Sequence, residues 1–355
     1  MFYIAIKGYK SNNRYGGTST LACGIMYVIL AFYNIFFGFF LYPYTGFMIW
    51  WIGIILSIYL IFAFMIKKVK KKIEIEGLNR VNRDISKIRK FVIQMTQYNP
   101  YKENISFRME LVRKSFHSAG ILFILAYFGF FIFLFPLTRI VNDTVIVFIK
   151  ESGWVYNILW GDIQYYPYKR GDFQAVVDLT MFALIAVLVF TIISDIIRIL
   201  WGPEYSIFNF VSKAILRDKE YNAFGAHIYL ISGIILTYML YVMGLVHILV
   251  VVAGILISCF SDALAALIGR KYGKHKVNCY NGDTKSIEGF VAGTGSAFFI
   301  GLIILGPIYA LIAALIFFLL DLFPIIIADN VLNPIMITII ITLCVLFTGF
   351  PIGWG

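Results

Sequence analysis

Charge is scarce in this sequence. Asp, Glu, Lys and Arg make up 14% of its 355 residues against 61% hydrophobic, too few to clothe a water-soluble globule. Cysteine is scarcer still, at four residues. Cys23, Cys259, Cys279 and Cys344 lie far apart with no C-x-x-C spacing, three of them in or beside apolar runs, which excludes a disulfide framework or a zinc site and leaves packing roles. No signal-peptidase site follows the opening "MFYIAIKGYKSNNRYGGTST", so the first long apolar run is read as a retained span. A Walker loop is missing too. "GRKYGK" has three residues between its glycines where that motif needs four, and Lys274 is not followed by Ser or Thr.

What is present is apolar length. Aromatics reach 18%, mean hydropathy is +0.85, and a crossing needs about 20 apolar residues. The expectation is an all-α polytopic membrane protein with nine transmembrane helices near 20–42, 46–66, 117–136, 174–200, 227–243, 244–266, 288–306, 308–327 and 333–353. Between the second and third, "KKVKKK" and "LNRVNRDISKIRKFVIQM" carry apolar residues at 78, 81, 85, 88, 91 and 92. That period predicts an amphipathic helix on the membrane surface. Three regions follow: a two-helix extension over 1–66, a basic linker over 67–107 and a seven-helix membrane domain over 108–355.

Orientation follows from where Lys and Arg fall. With the N-terminus cytoplasmic, three lie in the N-terminal segment, fourteen in 67–116, four in 198–219 and five in 270–285, which is 26 of the 30. Anionic lipid beside that face accounts for the net charge of +11 without nucleic acid.

Under this topology Glu110, Asp195, Asp262, Glu288 and Asp329 converge on the cytoplasmic face from five segments, and ionisable groups near membrane depth are functional candidates. "ELVRKSFH" puts Glu110, Arg113, Lys114 and His117 on one helical face, as a site or as an interfacial anchor. "SDIIR" spaces Asp195 and Arg198 for a local salt bridge. Asp262, Ala265, Ala266 and Gly269 line a face of minimal bulk where a phosphate chain or another backbone would fit beside an acid able to hold a divalent cation. "GFVAG" is a small-xxx-small packing pair. Arg270, Lys271, Lys274, Lys276 and Lys285 then lie between two helix ends, with a new helix opening near Ser286; cations and helix N-termini favour anions. "ADNVLNP" places Asp329 and Asn330 between two apolar runs, as a turn with an N-cap or as part of the site.

These residues carry a family resemblance. "SDALAALIGRKYGKHK…KSIEGFVAG" resembles the signature of the CTP-dependent lipid kinases, the family of dolichol kinase, phytol and farnesol kinases and CTP-dependent diacylglycerol kinase. "ELVRKSFHSAG" is similar to its entry helix, "SDIIR…FN…RDKEYNAFGAHIYLISG" to its middle region and "DNVLNP" to its close, so the resemblance covers roughly 108–353. Phosphatidate cytidylyltransferases look similar around Asp262, but here Asp283-Thr284 precedes Lys285 where they carry Ser-Pro, and their closing acidic pattern does not follow Gly295.

The resemblance implies transfer of the γ-phosphoryl group of CTP, with Mg²⁺, to a lipid hydroxyl at the cytoplasmic boundary of the bilayer, with a CDP-lipid-forming cytidylyltransferase and a transporter as alternatives. "HIYLISG" tilts the acceptor toward dolichol, a polyprenol or another isoprenoid alcohol over diacylglycerol. On this reading Asp262 and Asp329 hold the metal, and Lys274 and Lys285 neutralise phosphates with Arg270 assisting. Arg113, Lys114, Lys271, Lys276 and Asn330 are further nucleotide-binding candidates. Glu288 orients a lysine or the metal, and Asp195 or His117 activates the alcohol. The membrane would be the cell membrane of a prokaryote or the endoplasmic reticulum of a eukaryote.

Overall fold

The computed structural model describes residues 1–37, 44–76, 86–96, 107–115, 119–128, 172–209, 216, 220–279 and 284–354, with isolated positions between 143 and 154. These residues form an all-α membrane protein. In chain order the helices are α1 (Phe2–Lys10), α2 (Arg14–Phe37), α3 (Tyr44–Glu76), α4 (Lys87–Met95), α5 (Phe107–Ser115), α6 (Ala119–Phe128), α7 (Asp172–Leu200) and α8 (Ala226–Val242). α9 (Ile248–Leu256) continues through a π-helical turn, Ile257–Ser261, into α10 (Asp262–Tyr272). A hairpin of β1 (Lys276–Asn278) and β2 (Thr284–Ser286) leads to α11 (Ile287–Leu305), α12 (Pro307–Leu322) and α13 (Asp329–Thr348).

Six helical segments among the described residues are long and apolar enough to cross a membrane: Arg14–Phe36, Gly46–Ile75, Thr180–Leu200, Ile248–Tyr272, Ile287–Leu305 and Asp329–Thr348. α8 and α12, expected as spans, have 17 and 16 residues, about 25 Å of helix each. That is less than the ~30 Å of a hydrocarbon core. The expected span at 117–136 is described only over α6.

Two expectations change in the basic region. α3 runs unbroken for 33 residues, about 50 Å, so it passes residue 66 and exceeds the ~30 Å hydrocarbon by about 20 Å, with its lysines along the excess. α4 does not lay its apolar face on lipid. Phe91, Val92 and Met95 are buried against Phe62, Ile66, Val69 and Ile73 of α3 and Tyr205, so protein covers that face. Residues 77–85 of the expected surface helix lie outside the described ones. The N-terminal pair also joins the body, since Ile4 and Cys23 belong to the main core with residues of α8, α9, α11, α12 and α13.

α8 is the hub of that core, buried along most of its length. It meets α13 at Gly233, where a Cβ would strike the Asn330 carbonyl. α9 meets α13 at Gly254, where a Cβ would strike the Thr338 hydroxyl. These close backbone approaches are the membrane packing that small residues permit, and they fix α13 against two partners.

Candidate functional site

Two ion pairs zip α5 to α10 in antiparallel register. Lys114 donates to Asp262 Oδ2, and Arg270 Nη2 lies 3.4 Å from Glu110 Oε2. Glu110 also receives Arg113 Nη2 at 2.5 Å. The predicted face of "ELVRKSFH" therefore exists over Glu110–Lys114, while His117 lies outside the described residues. Asp262 is not at a helix end as expected: α10 continues to Tyr272, carrying Arg270 and Lys271 in its last turn, where cations suit the helix dipole.

A second pair stands beside the first. Lys285, on β2, donates to Asp321 Oδ1 at 2.5 Å and to the Asp321 carbonyl at 2.9 Å. Burial works against the lysine's charge, but the Asp321 carboxylate outweighs it and, with Asp329, holds Lys285 above its ordinary pKa. Asp321 and Asp329 each lie within electrostatic reach of Asp262, Lys285 and Lys114. Five charged groups from α5, α10, β2, α12 and α13 thus converge, four of them expected. Asp321 was missed, though a lone acid in "LIFFLLDLFP" is itself a signal.

The basic hairpin contributes Lys285 to this cluster. Arg270, Lys271, Lys274 and Lys276 are exposed, and residues 280–283 of its tip lie outside the described ones. Ser286 opens α11 as expected, its Oγ accepting from the Gly289 N–H at 3.1 Å. Glu288 departs from expectation. Its Oε1 takes His275 Nδ1 at 2.8 Å and the His275 N–H at 3.2 Å, so it anchors the hairpin base.

The small-residue face is filled by the close approach of α11 and Ser286. A Cβ on Gly289 would lie 2.8 Å from the Ala265 carbonyl, one on Gly269 2.8 Å from Ser286 Oγ, and one on Gly293 2.9 Å from Ala265 Cβ. α10 and α11 therefore pack through these glycines, which settles in favour of packing the alternative left open for this face.

Asp195 stands apart from the cluster. Arg198 binds it with Nε at 2.9 Å and Nη2 at 3.0 Å, and the Gly225 N–H donates at 2.8 Å. Arg198 in turn donates to the carbonyls of Glu220, Tyr221 and Ala223. This buried knot ties α7 to the entry of α8, a structural use that opposes the expected role as base. Asn330 donates through Nδ2 to the Ala226 carbonyl at 3.4 Å, one residue from Asp329.

Sequence reasoning also missed what holds Asp329. Ser19 Oγ accepts from the Ala328 N–H at 2.9 Å and the Tyr15 hydroxyl from the Asp329 N–H at 3.2 Å, so two α2 side chains satisfy amides that a helix start leaves unpaired. Thr20 meets the Tyr229 hydroxyl at 2.8 Å, and Lys7 donates to the Ile199 carbonyl at 2.7 Å. The N-terminal pair braces α13, α8 and α7 near their functional ends.

No family model, curated protein or solved structure matches this chain. Among the described residues, no three His, Cys, Asp or Glu side chains are placed to share a metal ion. Single carboxylates such as Asp262 and Asp329 nonetheless suit Mg²⁺, a hard cation commonly held by one or two carboxylates together with substrate phosphates.

Proposed function

We propose that this protein is a CTP- and Mg²⁺-dependent kinase that phosphorylates the hydroxyl of a membrane lipid alcohol, an isoprenoid alcohol in preference to diacylglycerol. The observation that carries the reading is the convergence of Lys114, Asp262, Lys285, Asp321 and Asp329, with Lys285 supplied by a basic hairpin. Phosphoryl transfer asks chiefly for positioning and charge neutralisation, and this cluster offers both at the end of apolar helices. The resemblance in "SDALAALIGRKYGKHK…KSIEG" supplies the choice of CTP. The same reading takes nine spans with a cytoplasmic N-terminus, and the site on the cytoplasmic face.

Lys285, aimed by Asp321, meets the phosphates from one side, and Lys274 and Arg270 meet them from the hairpin and α10. Asp262 and Asp329 supply hard oxygens for Mg²⁺, which when bound offsets phosphate charge. Lys114 moves from Asp262 to the phosphates as these arrive. The lipid oxygen displaces CDP from the γ-phosphorus. With Asp195 committed to Arg198, His117 is the remaining proposed acceptor of the hydroxyl proton.

The test is incubation of purified protein with γ-labelled CTP, Mg²⁺ and a panel of polyprenol, phytol-like and diacylglycerol acceptors, beside Asp262→Ala. Labelled lipid, lost in the variant, supports the kinase. Pyrophosphate release with a CDP-lipid would make it a cytidylyltransferase, and no turnover with any acceptor would refute the enzyme reading.

A further inference from the structure

The three carboxylates of the cluster are not in the same state. Asp262, Asp321 and Asp329 lie within electrostatic reach of one another. Asp262 Oδ2 is bonded by Lys114 Nζ and Asp321 Oδ1 by Lys285 Nζ, while among the described residues no lysine bonds the Asp329 carboxylate. The two lysines are also held differently. Lys285 reaches both the carboxylate and the main-chain carbonyl of Asp321, whereas Lys114 makes a single hydrogen bond, to Asp262, among the described residues. Its helix does not depend on that bond, because Arg270 ties α10 to Glu110 one turn earlier in α5. Lys114 can therefore change partner by side-chain rotation while α5 stays on α10.

An ammonium seated on Asp262 covers an oxygen that a divalent cation would use, and two cations on one carboxylate repel each other. The charge of the cluster points the same way. Two lysines against three carboxylates leave a single negative charge, a weak attraction for Mg²⁺, which gives up its water reluctantly. Among the described residues no three acids are placed to share a metal ion, so side chains alone do not complete a coordination shell. Phosphate oxygens change both conditions: they add hard ligands and negative charge, and they offer Lys114 a charge-assisted acceptor in exchange for Asp262.

We infer that Lys114 is a gate on Asp262, shutting out a divalent cation until the phosphates of a nucleotide draw the lysine away. The inference rests on the proposed function for the identity of the nucleotide and deepens it by fixing an order of binding. Asp329 is the standing acid, and Asp262 is uncovered only as phosphates arrive. A protein built this way ignores free Mg²⁺ and keeps no metal between turnovers.

The experiment measures Mn²⁺ binding by electron paramagnetic resonance on the full chain in phosphatidylcholine nanodiscs, without nucleotide, for wild type, Lys114→Gln, Asp262→Asn and the double variant. Lys114→Gln should bind Mn²⁺ about tenfold more tightly than wild type, the effect of removing one cation from the carboxylate, and adding Asp262→Asn should cancel the gain. With the β,γ-methylene analogue of CTP present, wild type should bind Mn²⁺ more tightly than Asp262→Asn does. Lys114→Gln also gives up an ion pair, so melting is followed alongside: Mn²⁺ should raise its Tm more than it raises that of wild type, a reading that holds for a weakly folded variant too. Equal Mn²⁺ affinity and equal Tm shifts in wild type and Lys114→Gln, or a gain that survives Asp262→Asn, would overturn the gate, and would leave the kinase standing if CTP is still turned over. A gain in Lys114→Gln that the CTP analogue does not reproduce in wild type would keep Lys114 as the gate and refute the nucleotide as its key.

Discussion

Lys114 and Asp262, 148 residues apart in the chain, close on each other where α5 meets α10. Lys114 is almost wholly buried and Asp262 only partly, so removing either partner strands a charge that is hard to hydrate. Lys114→Met or Asp262→Asn alone should cost about 3 kcal/mol, and the double variant less than the sum of the two. Chemical or thermal unfolding in detergent reads the coupling. Additivity would show that the pair is not formed in solution.

The Lys285 and Asp321 pair predicts an alkaline limit. Lys285 titrates above its ordinary value of 10.5, so its stabilising interaction is fully present below that pH and is lost as pH rises through the higher folded-state value. The gap in melting temperature between wild type and Lys285→Met should be constant from pH 8 to about 10 and narrow above about 10.5. A gap that narrows toward acid instead would contradict the assignment.

Asp195→Asn should act on folding. Breaking a buried, doubly bonded pair costs roughly 3–5 kcal/mol, so the variant should melt far lower. Its turnover per folded molecule should stay within about twofold of wild type. A loss near a thousandfold with unchanged melting would restore Asp195 as the base.

Ser19→Ala should loosen the start of α13 at a cost of about 1 kcal/mol, as for a lost N-terminal cap. Hydrogen exchange should quicken at the amides of Ala328 and its neighbours and stay unchanged in α11. Ser19→Thr, which keeps the hydroxyl, should restore protection. Equal exchange in all three proteins would show that α2 does not hold this helix.

Gly289→Ala and Gly53→Ala are opposed tests of helix packing. At Gly289 the added methyl meets the Ala265 carbonyl at 2.8 Å, whereas at Gly53 nothing lies within 4 Å. The first should destabilise by about 1–3 kcal/mol, and the second should stabilise by up to about 1 kcal/mol through helix propensity. Melting curves in detergent decide both signs.

Run length made the apolar helices legible: α8 and α11 fall within a residue of expectation because apolar composition changes sharply at Ala226 and Ile287. The α10 extension was not, because Arg270 and Lys271 end the apolar window while the Arg270–Glu110 pair and the helix dipole let the helix continue. α1 has nine residues and is held by Lys7 reaching Ile199, a contact 192 positions away that no local pattern encodes. The site was legible where charge interrupts long apolar runs, as at Asp262 and Asp329. Asp321 was missed although it too interrupts an apolar run, inside the span expected over 308–327. Asp195 and Arg198 had the right spacing for the pair they form, and only the surrounding carbonyls reveal its structural purpose.

The π turn has a consequence for reading relatives of this chain. A π turn is equivalent to one extra residue wound into an α-helix, so deleting a single residue within Ile257–Ser261 would leave the string "DALAALIGRKYGKHK" intact and rotate it by about 100° relative to α9. Asp262 would then turn away from Lys114 while every letter of the motif survived. Two sequences can therefore share this signature and differ in whether it faces a site, and the number of residues between Gly254 and Asp262 is the phase marker that tells them apart.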